Sequence, residues 1–105
     1  MPQFVVHRNK NRRTQTQFPF LVDVQADLLS ELSSRVVIPL AKAPKLAKKP
    51  IDRLTPLVEI DGAQYILLTP QLAGIGGTEL GPVVANLIEQ RQIIVAAIDF
   101  LITGS

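Results

Sequence analysis

The sequence contains no cysteine, a single histidine and only five aromatic residues, Phe4, Phe18, Phe20, Tyr65 and Phe100. Without cysteine there are no disulfides, no thiolate zinc site and no cysteine nucleophile, a composition compatible with a reducing compartment. One histidine, His7, has no second histidine beside which to bind a metal, and it sits in an ordinary strand pattern, so neither a multi-ligand metal site nor a Ser-His-Asp arrangement can be built around it; a structural or surface role is expected. The aromatics do not interleave with the basic residues, which removes the stacking platform of a single-stranded nucleic-acid binder. The N-terminus, MPQFVVHRNK, lacks a charged segment followed by an apolar run and does not read as a secretory leader. No stretch approaches the ~20 apolar residues that cross a bilayer. The expectation is a soluble, cytoplasmic protein without a membrane partner.

What is present suits one folded unit, 1–105, with an apolar fraction of 47% and a charged fraction of 19%. Net charge is only +2, yet nine of the eleven basic residues fall into two clusters. Arg8, Lys10, Arg12 and Arg13 form the first; Lys42, Lys45, Lys48, Lys49 and Arg53 form the second, with Asp52 as its one acid. Such patches are either solvated loops or docking sites for an acidic segment.

Along the chain, Gln3 to His7 reads as a strand and Arg8 to Gln17 as a mobile basic loop. Phe20 to Ala26 resumes the strand pattern, with Leu21 facing away from Phe20, Val22 and Val24. Asp27 to Ser34 is polar and turn-like but carries Leu28 and Leu29, which either plug the core or stand exposed. Arg35 to Leu40 is a third strand whose Pro39 predicts an edge or a bulge at its end. Pro44, Pro50 and Pro56 rule out a long helix in the connector from Ala41 to Pro56. LVEI and QYILL then flank Asp61-Gly62, a dipeptide suited to positive φ in a tight hairpin, with Ala63 in either the turn or the returning strand. Gln71 to Ile75 adds a short strand.

The glycine-rich GIGGTELG (Gly74 to Gly81) matches neither a dinucleotide fingerprint nor a phosphate loop, and reads as a hinge. Pro82 then opens a helix over Val83 to Ser105. At about 100° per residue, Val84, Ile88, Val95, Ile98 and Ile102 share one stripe, widened by Leu87, Ile94 and Leu101. The opposite stripe, Asn86, Glu89, Ile93, Ala96, Ala97 and Phe100, turns apolar in its second half. A helix on one sheet stays polar there, so this end is buried twice or covered by something else. Arg91, inside an apolar stripe, either snorkels to solvent or pairs with an acid of the sheet. Asp23 and Asp27, four apart, are candidates for paired carboxylates, but across a strand end they need not converge. Strands first and one helix last predict a curled antiparallel sheet or small barrel with a terminal helix. No catalytic residues, no cofactor and no metal follow from these patterns.

The order of segments resembles the CcdB family, the toxins of toxin–antitoxin pairs that poison bacterial DNA gyrase. The likeness runs through Gln3-Phe4, LVDVQADLL (Leu21 to Leu29), RVVIPL (Arg35 to Leu40), VEIDG, LLTPQLA (Leu67 to Ala73) and AAIDFLITG (Ala96 to Gly104). It implies a mainly β fold, an SH3-like β-barrel of antiparallel strands with one C-terminal helix, assembled as a homodimer. It also implies a non-enzymatic toxin that binds the GyrA subunit and traps the complex of gyrase with cleaved DNA, serving plasmid maintenance. A CcdA-type antitoxin with an acidic tail neutralises such toxins. Carried over position by position, gyrase-binding residues are Leu28, Leu29, Asp99, Ile102, Thr103, Gly104 and Ser105. The antitoxin-binding candidates are Arg8, Lys10, Arg12, Arg13, Lys42, Lys45, Lys48 and Lys49. No direct sequence-specific nucleic-acid contact is implied. The chain departs from the plasmid form, which ends in an aromatic, a glycine and an apolar residue, where this sequence has Thr103, Gly104 and Ser105. An attenuated homologue that still binds antitoxin, and an endoribonuclease of the MazF kind on the same barrel, are the alternatives.

Overall fold

The computed structural model of the chain describes residues 2–44 and 53–104. Seven strands come first: β1 Val5–Asn9, β2 Phe20–Asp23, β3 Ser34–Lys42, β4 Leu57–Ile60, β5 Ala63–Leu67, β6 Ala73–Gly76 and β7 Leu80–Asn86. One helix, α1 (Arg91–Thr103), closes the order. Every strand pairing among the described residues is antiparallel. The sheet runs β4-β5-β3-β2-β1-β7, with β6 also on β3, and curls into a half-barrel. This is the mainly β architecture with a terminal helix that the pattern predicts.

Both faces of the central strands are buried, because successive side chains point to opposite sides. Val6, Val22, Ile38, Leu40, Val58, Ile60 and Leu67 meet Ile94 and Ala97 of α1 on the inner face. Leu21, Val37 and Leu80, with Ile75 against them, form a smaller cluster. Leu21 and Val22, neighbours in sequence, thus serve different clusters, as the alternation requires. Each of the larger aliphatic side chains removed from water stabilises the fold by about 1.5–3 kcal/mol.

Several boundaries differ from the sequence reading. Strand β1 starts two residues late because Phe4 has φ 68°, outside the extended region. Phe4 is nonetheless buried, and its backbone is held at both ends: its N–H donates to Asp23 O (2.6 Å) and its carbonyl accepts from Leu87 N–H (2.8 Å). The stretch expected to be a mobile basic loop is partly strand (Arg8 and Asn9), and its remainder is tied down. Buried Asn9 donates through Nδ2 to Thr14 Oγ1 and Phe18 O, and accepts through Oδ1 from Asn11 N–H.

Pro39 lies neither on an edge nor at a strand end, since β3 continues to Lys42. It falls where β3 changes partner, from β6 (as far as Val37) to β5 (from Leu40). Its carbonyl accepts from Leu68 N–H on that side, and the 3-10 turn Thr69–Gln71 interrupts pairing where its missing N–H would be used. The hairpin is as predicted, with Asp61 at φ 51° and Gly62 at φ 79°, and Ala63 belongs to the returning strand.

The largest correction concerns the expected helix over Val83 to Ser105. Leu80–Asn86 is a strand paired with β1, Ile88–Gln90 a 3-10 turn, and the helix begins only at Arg91. The glycine-rich segment is therefore not a hinge: it forms most of β6, another 3-10 turn (Gly77–Glu79) and the start of β7. Partner pairing decides the matter, since Val83 and Val84 are β-branched and β1 offers its open edge. Gly81 is required where the two strands meet. A Cβ built there would lie 2.7 Å from Arg8 O. Gly81→Ala is expected to cost about 1–3 kcal/mol by overpacking, read as a lower urea midpoint; an unchanged midpoint would contradict this β1–β7 approach. His7 is also fixed by this pairing: it is buried, and because a carbonyl only accepts, Nδ1 donates its proton to Gly81 O (3.0 Å). Its structural reading stands.

Candidate functional site

The segment joining β2 to β3 is built on a buried ion pair. Asp23 closes β2, Arg35 lies at the start of β3, and both side chains are almost fully buried. Arg35 Nε donates to Asp23 Oδ2 (2.7 Å) and Nη2 to Oδ1 (3.0 Å), the two-pronged geometry that makes such a pair strong. Asp23 Oδ1 also accepts from Gln25 N–H (3.0 Å). Gln25 is buried in turn; Oε1 accepts from Val36 N–H (3.0 Å) and Nε2 donates to Leu29 O (2.8 Å). Gln3 closes the near side, donating through Nε2 to Val24 O and through its backbone N–H to Asp27 Oδ1. Asp23 and Asp27 are thus engaged by different partners, and they do not form a carboxylate pair.

On this polar base sits the 3-10 turn Asp27–Leu29. Leu28 is 96% exposed, Leu29 50% and Leu32 53%. Of the two expectations for the adjacent leucines, exposure is the one observed.

The end of α1 is a second surface. Ile94 and Ala97 are buried against the sheet and Ile98 packs beside them. Val95, Leu101 and Ile102, placed in the core-facing stripe by the periodicity, are instead exposed, Ile102 to 75%. Ala97, assigned to the opposite stripe, faces the core. The stripes were displaced because their phase was set at Val84, which belongs to β7. Asp99 is exposed, and Thr103 Oγ1 donates to its carbonyl (2.7 Å). Thr103 is the last helical residue, and Gly104 (φ 74°) is the left-handed cap, its N–H on Phe100 O (2.9 Å). The chain is thus helical through Thr103, and the helix expected to run to Ser105 is capped at Gly104. Ser105 lies outside the described residues. Arg91 is exposed at the first turn, on a shallow recess it shares with Gln92, Val95, Ala96 and Asp99; the solvent-facing reading of Arg91 is the observed one.

Arg8, Lys10, Arg12, Arg13 and Lys42 are exposed. The Arg8 guanidinium lies 5.8 Å from the Phe20 ring centre, and Phe20 packs edge-on against Tyr65. Lys10 Nζ reaches Thr78 O at 3.4 Å. Lys45, Lys48 and Lys49 lie outside the described residues. Arg53 covers Phe100 at 4.5 Å, so one basic side chain of the connector rests on α1. The leucine turn, the helix end and the first basic cluster are carried by separate elements of the chain. Among the described residues no three His, Cys, Asp or Glu side chains gather as a metal-holding group, and no helix is long and apolar enough to cross a membrane.

Sequence reasoning missed Arg35, Gln25 and Leu32. A lone arginine heading an apolar strand (RVVIPL) was the available signal for the first, and the spacing of Leu28 and Leu32 for the last. Gln25 carried none, since its role depends on strands brought together by folding.

A half-barrel sheet with a terminal helix, bearing exposed leucines on a turn set over a buried ion pair, defines a small, mainly β domain whose notable features are surfaces. The model of the family described as CcdB protein matches residues 3–104. The chain belongs to the CcdB family, the toxins of the CcdA/CcdB system.

Proposed function

We propose that the chain is a gyrase poison: a cytoplasmic, non-enzymatic toxin that binds the GyrA subunit, stabilises its complex with cleaved DNA, and is neutralised by a CcdA-type antitoxin. The observation carrying this reading is Leu28, a large apolar side chain 96% exposed on a turn whose base is a buried, fully hydrogen-bonded carboxylate. An apolar side chain presented so fully is suited to burial in a partner, where a leucine contributes about 1.5–3 kcal/mol. Leu29, Asp99, Ile102, Thr103, Gly104 and Ser105 complete the GyrA-facing set. The chain acts as a homodimer, which gives Val95 and Leu101 something to pack against and offers each partner surface twice. Arg8, Lys10, Arg12, Arg13, Lys42, Lys45, Lys48 and Lys49 attract the acidic antitoxin tail, mainly through association rate.

Leu28→Asp is the direct test. Because the side chain is exposed, the variant keeps the fold while GyrA affinity falls at least about tenfold, the equivalent of about 1.4 kcal/mol. Unchanged affinity in a titration against a GyrA fragment would remove Leu28 from the interface.

A second reading, an attenuated homologue that retains antitoxin binding, is favoured by Thr103. Its hydroxyl is turned back onto Asp99 O, at a position where the plasmid form of the family carries an aromatic.

A further inference from the structure

One carbonyl governs the leucine turn. Leu29 O accepts from Gln25 Nε2 at 2.8 Å and from Leu32 N–H at 3.1 Å. The same glutamine is anchored at two further polar positions, through N–H to Asp23 Oδ1 and through Oε1 to Val36 N–H. Asp23 is in turn clamped by Arg35. An unbroken run of hydrogen bonds therefore connects the buried ion pair to the backbone that presents Leu28, Leu29 and Leu32, all three exposed. The turn itself is only a 3-10 segment, Asp27–Leu29, with no buried residue and no side-chain cap. Left alone, a segment so short and so weakly packed samples many conformations, and ordering it on contact would weaken binding.

Resting on the GyrA-binding reading above, we propose that Gln25 is the positioning residue of the interaction surface and that Leu32, tied to the same carbonyl, is its third apolar anchor. Gln25 touches no partner. Both ends of its amide are engaged within the chain: the oxygen fixes the turn's base to β3, and the nitrogen fixes the carbonyl from which Leu32 hangs. The role needs a donor and an acceptor on one side chain. Glutamate, ionised, keeps the acceptor for Val36 N–H but sets a carboxylate against Leu29 O; methionine fills similar space and supplies neither.

The experiment compares wild type, Gln25→Met, Gln25→Glu and Leu32→Ala in three measurements: amide exchange over residues 28–36, affinity for a GyrA fragment, and affinity for an acidic antitoxin peptide. For Gln25→Met, exchange at Leu32 and Val36 is expected to accelerate at least about tenfold, with GyrA affinity falling by a similar factor and the peptide affinity unchanged within twofold. Gln25→Glu should separate the two functions, freeing Leu32 while Val36 stays protected. Leu32→Ala, exposed and unable to disturb the core, should weaken GyrA binding several-fold with exchange unaltered. Equal loss of GyrA and peptide binding in the Gln25 variants would reduce the residue to a general structural role and overturn the proposal. Full GyrA affinity in Gln25→Met, or in Leu32→Ala, overturns the corresponding half. If wild type itself does not bind GyrA, the functional reading fails, and the exchange data then decide separately whether Gln25 orders the turn.

Discussion

Replacing Arg35 by methionine is expected to destabilise the protein by about 3–5 kcal/mol, because it strands the Asp23 carboxylate in the interior without its counter-charge. Both side chains are at the limit of burial, so water cannot take the guanidinium's place without opening the sheet between β2 and β3. A loss of that size is a large part of the roughly 5–15 kcal/mol that holds a domain of this length together. The pair is nevertheless not a net source of stability in the way its single substitution suggests. Removing both charges with apolar residues of similar volume, Asp23→Leu with Arg35→Met, is often neutral in buried pairs. Here it should recover most of the loss, short of the hydrogen bond to Gln25 N–H, which is worth about 1 kcal/mol. Urea denaturation of wild type and the two variants checks this. If Arg35→Met alone matches wild type, Asp23 is not held dry as the hydrogen bonding implies. The double variant, folded but with a slackened turn, would further separate stability from presentation of the leucines.

A gain is expected at the helix end. An aromatic at 103 supplies a stacking surface for an arginine of the target, worth about 1 kcal/mol or more when desolvated. An isoleucine at 105 adds up to about 2 kcal/mol of apolar burial. Together they correspond to about a hundredfold in affinity. Thr103→Trp with Ser105→Ile is therefore expected to tighten GyrA binding by about two orders of magnitude and to raise toxicity on expression, with Gly104 left in place because its left-handed conformation (φ 74°) ends the helix. Thr103 gives up its bond to Asp99 O, within an otherwise intact helix. A double variant no tighter than wild type would show that these two positions do not set affinity.

The parts of the fold legible in the sequence were those fixed locally. Asp61-Gly62 demands positive φ at two successive positions, and few other arrangements satisfy it. Leu21 against Val22 obeyed a period of two. Adjacent leucines within a polar segment marked the turn, and left open whether they plug the core or stand exposed. What escaped were features decided by distant segments. Pro82-Val83-Val84-Ala85-Asn86 continues an apolar rhythm into the true helix, and only pairing with β1 makes it a strand. That error carried the helical phase with it, misplacing Val95, Ile102 and Ala97. Phe4 looked like strand and is held out of it by bonds to Asp23 and Leu87. The Arg53–Phe100 contact spans a connector and a helix far apart in the chain, and no local pattern foretells it. At the site, Leu28 and Leu29 could be read as candidates and Leu32 was missed, whereas Gln25 and Arg35 needed the fold to bring residues 23, 25, 29 and 36 together.

The most direct measurement is a gyrase cleavage assay with the purified protein, supercoiled DNA and ATP, resolved after protein denaturation. Linearised DNA is expected to accumulate with toxin concentration and to disappear when an acidic CcdA-type peptide is added, with a concentration requirement lowered by Thr103→Trp and Ser105→Ile. No linear product at large excess over gyrase, from either wild type or that double variant, would contradict it.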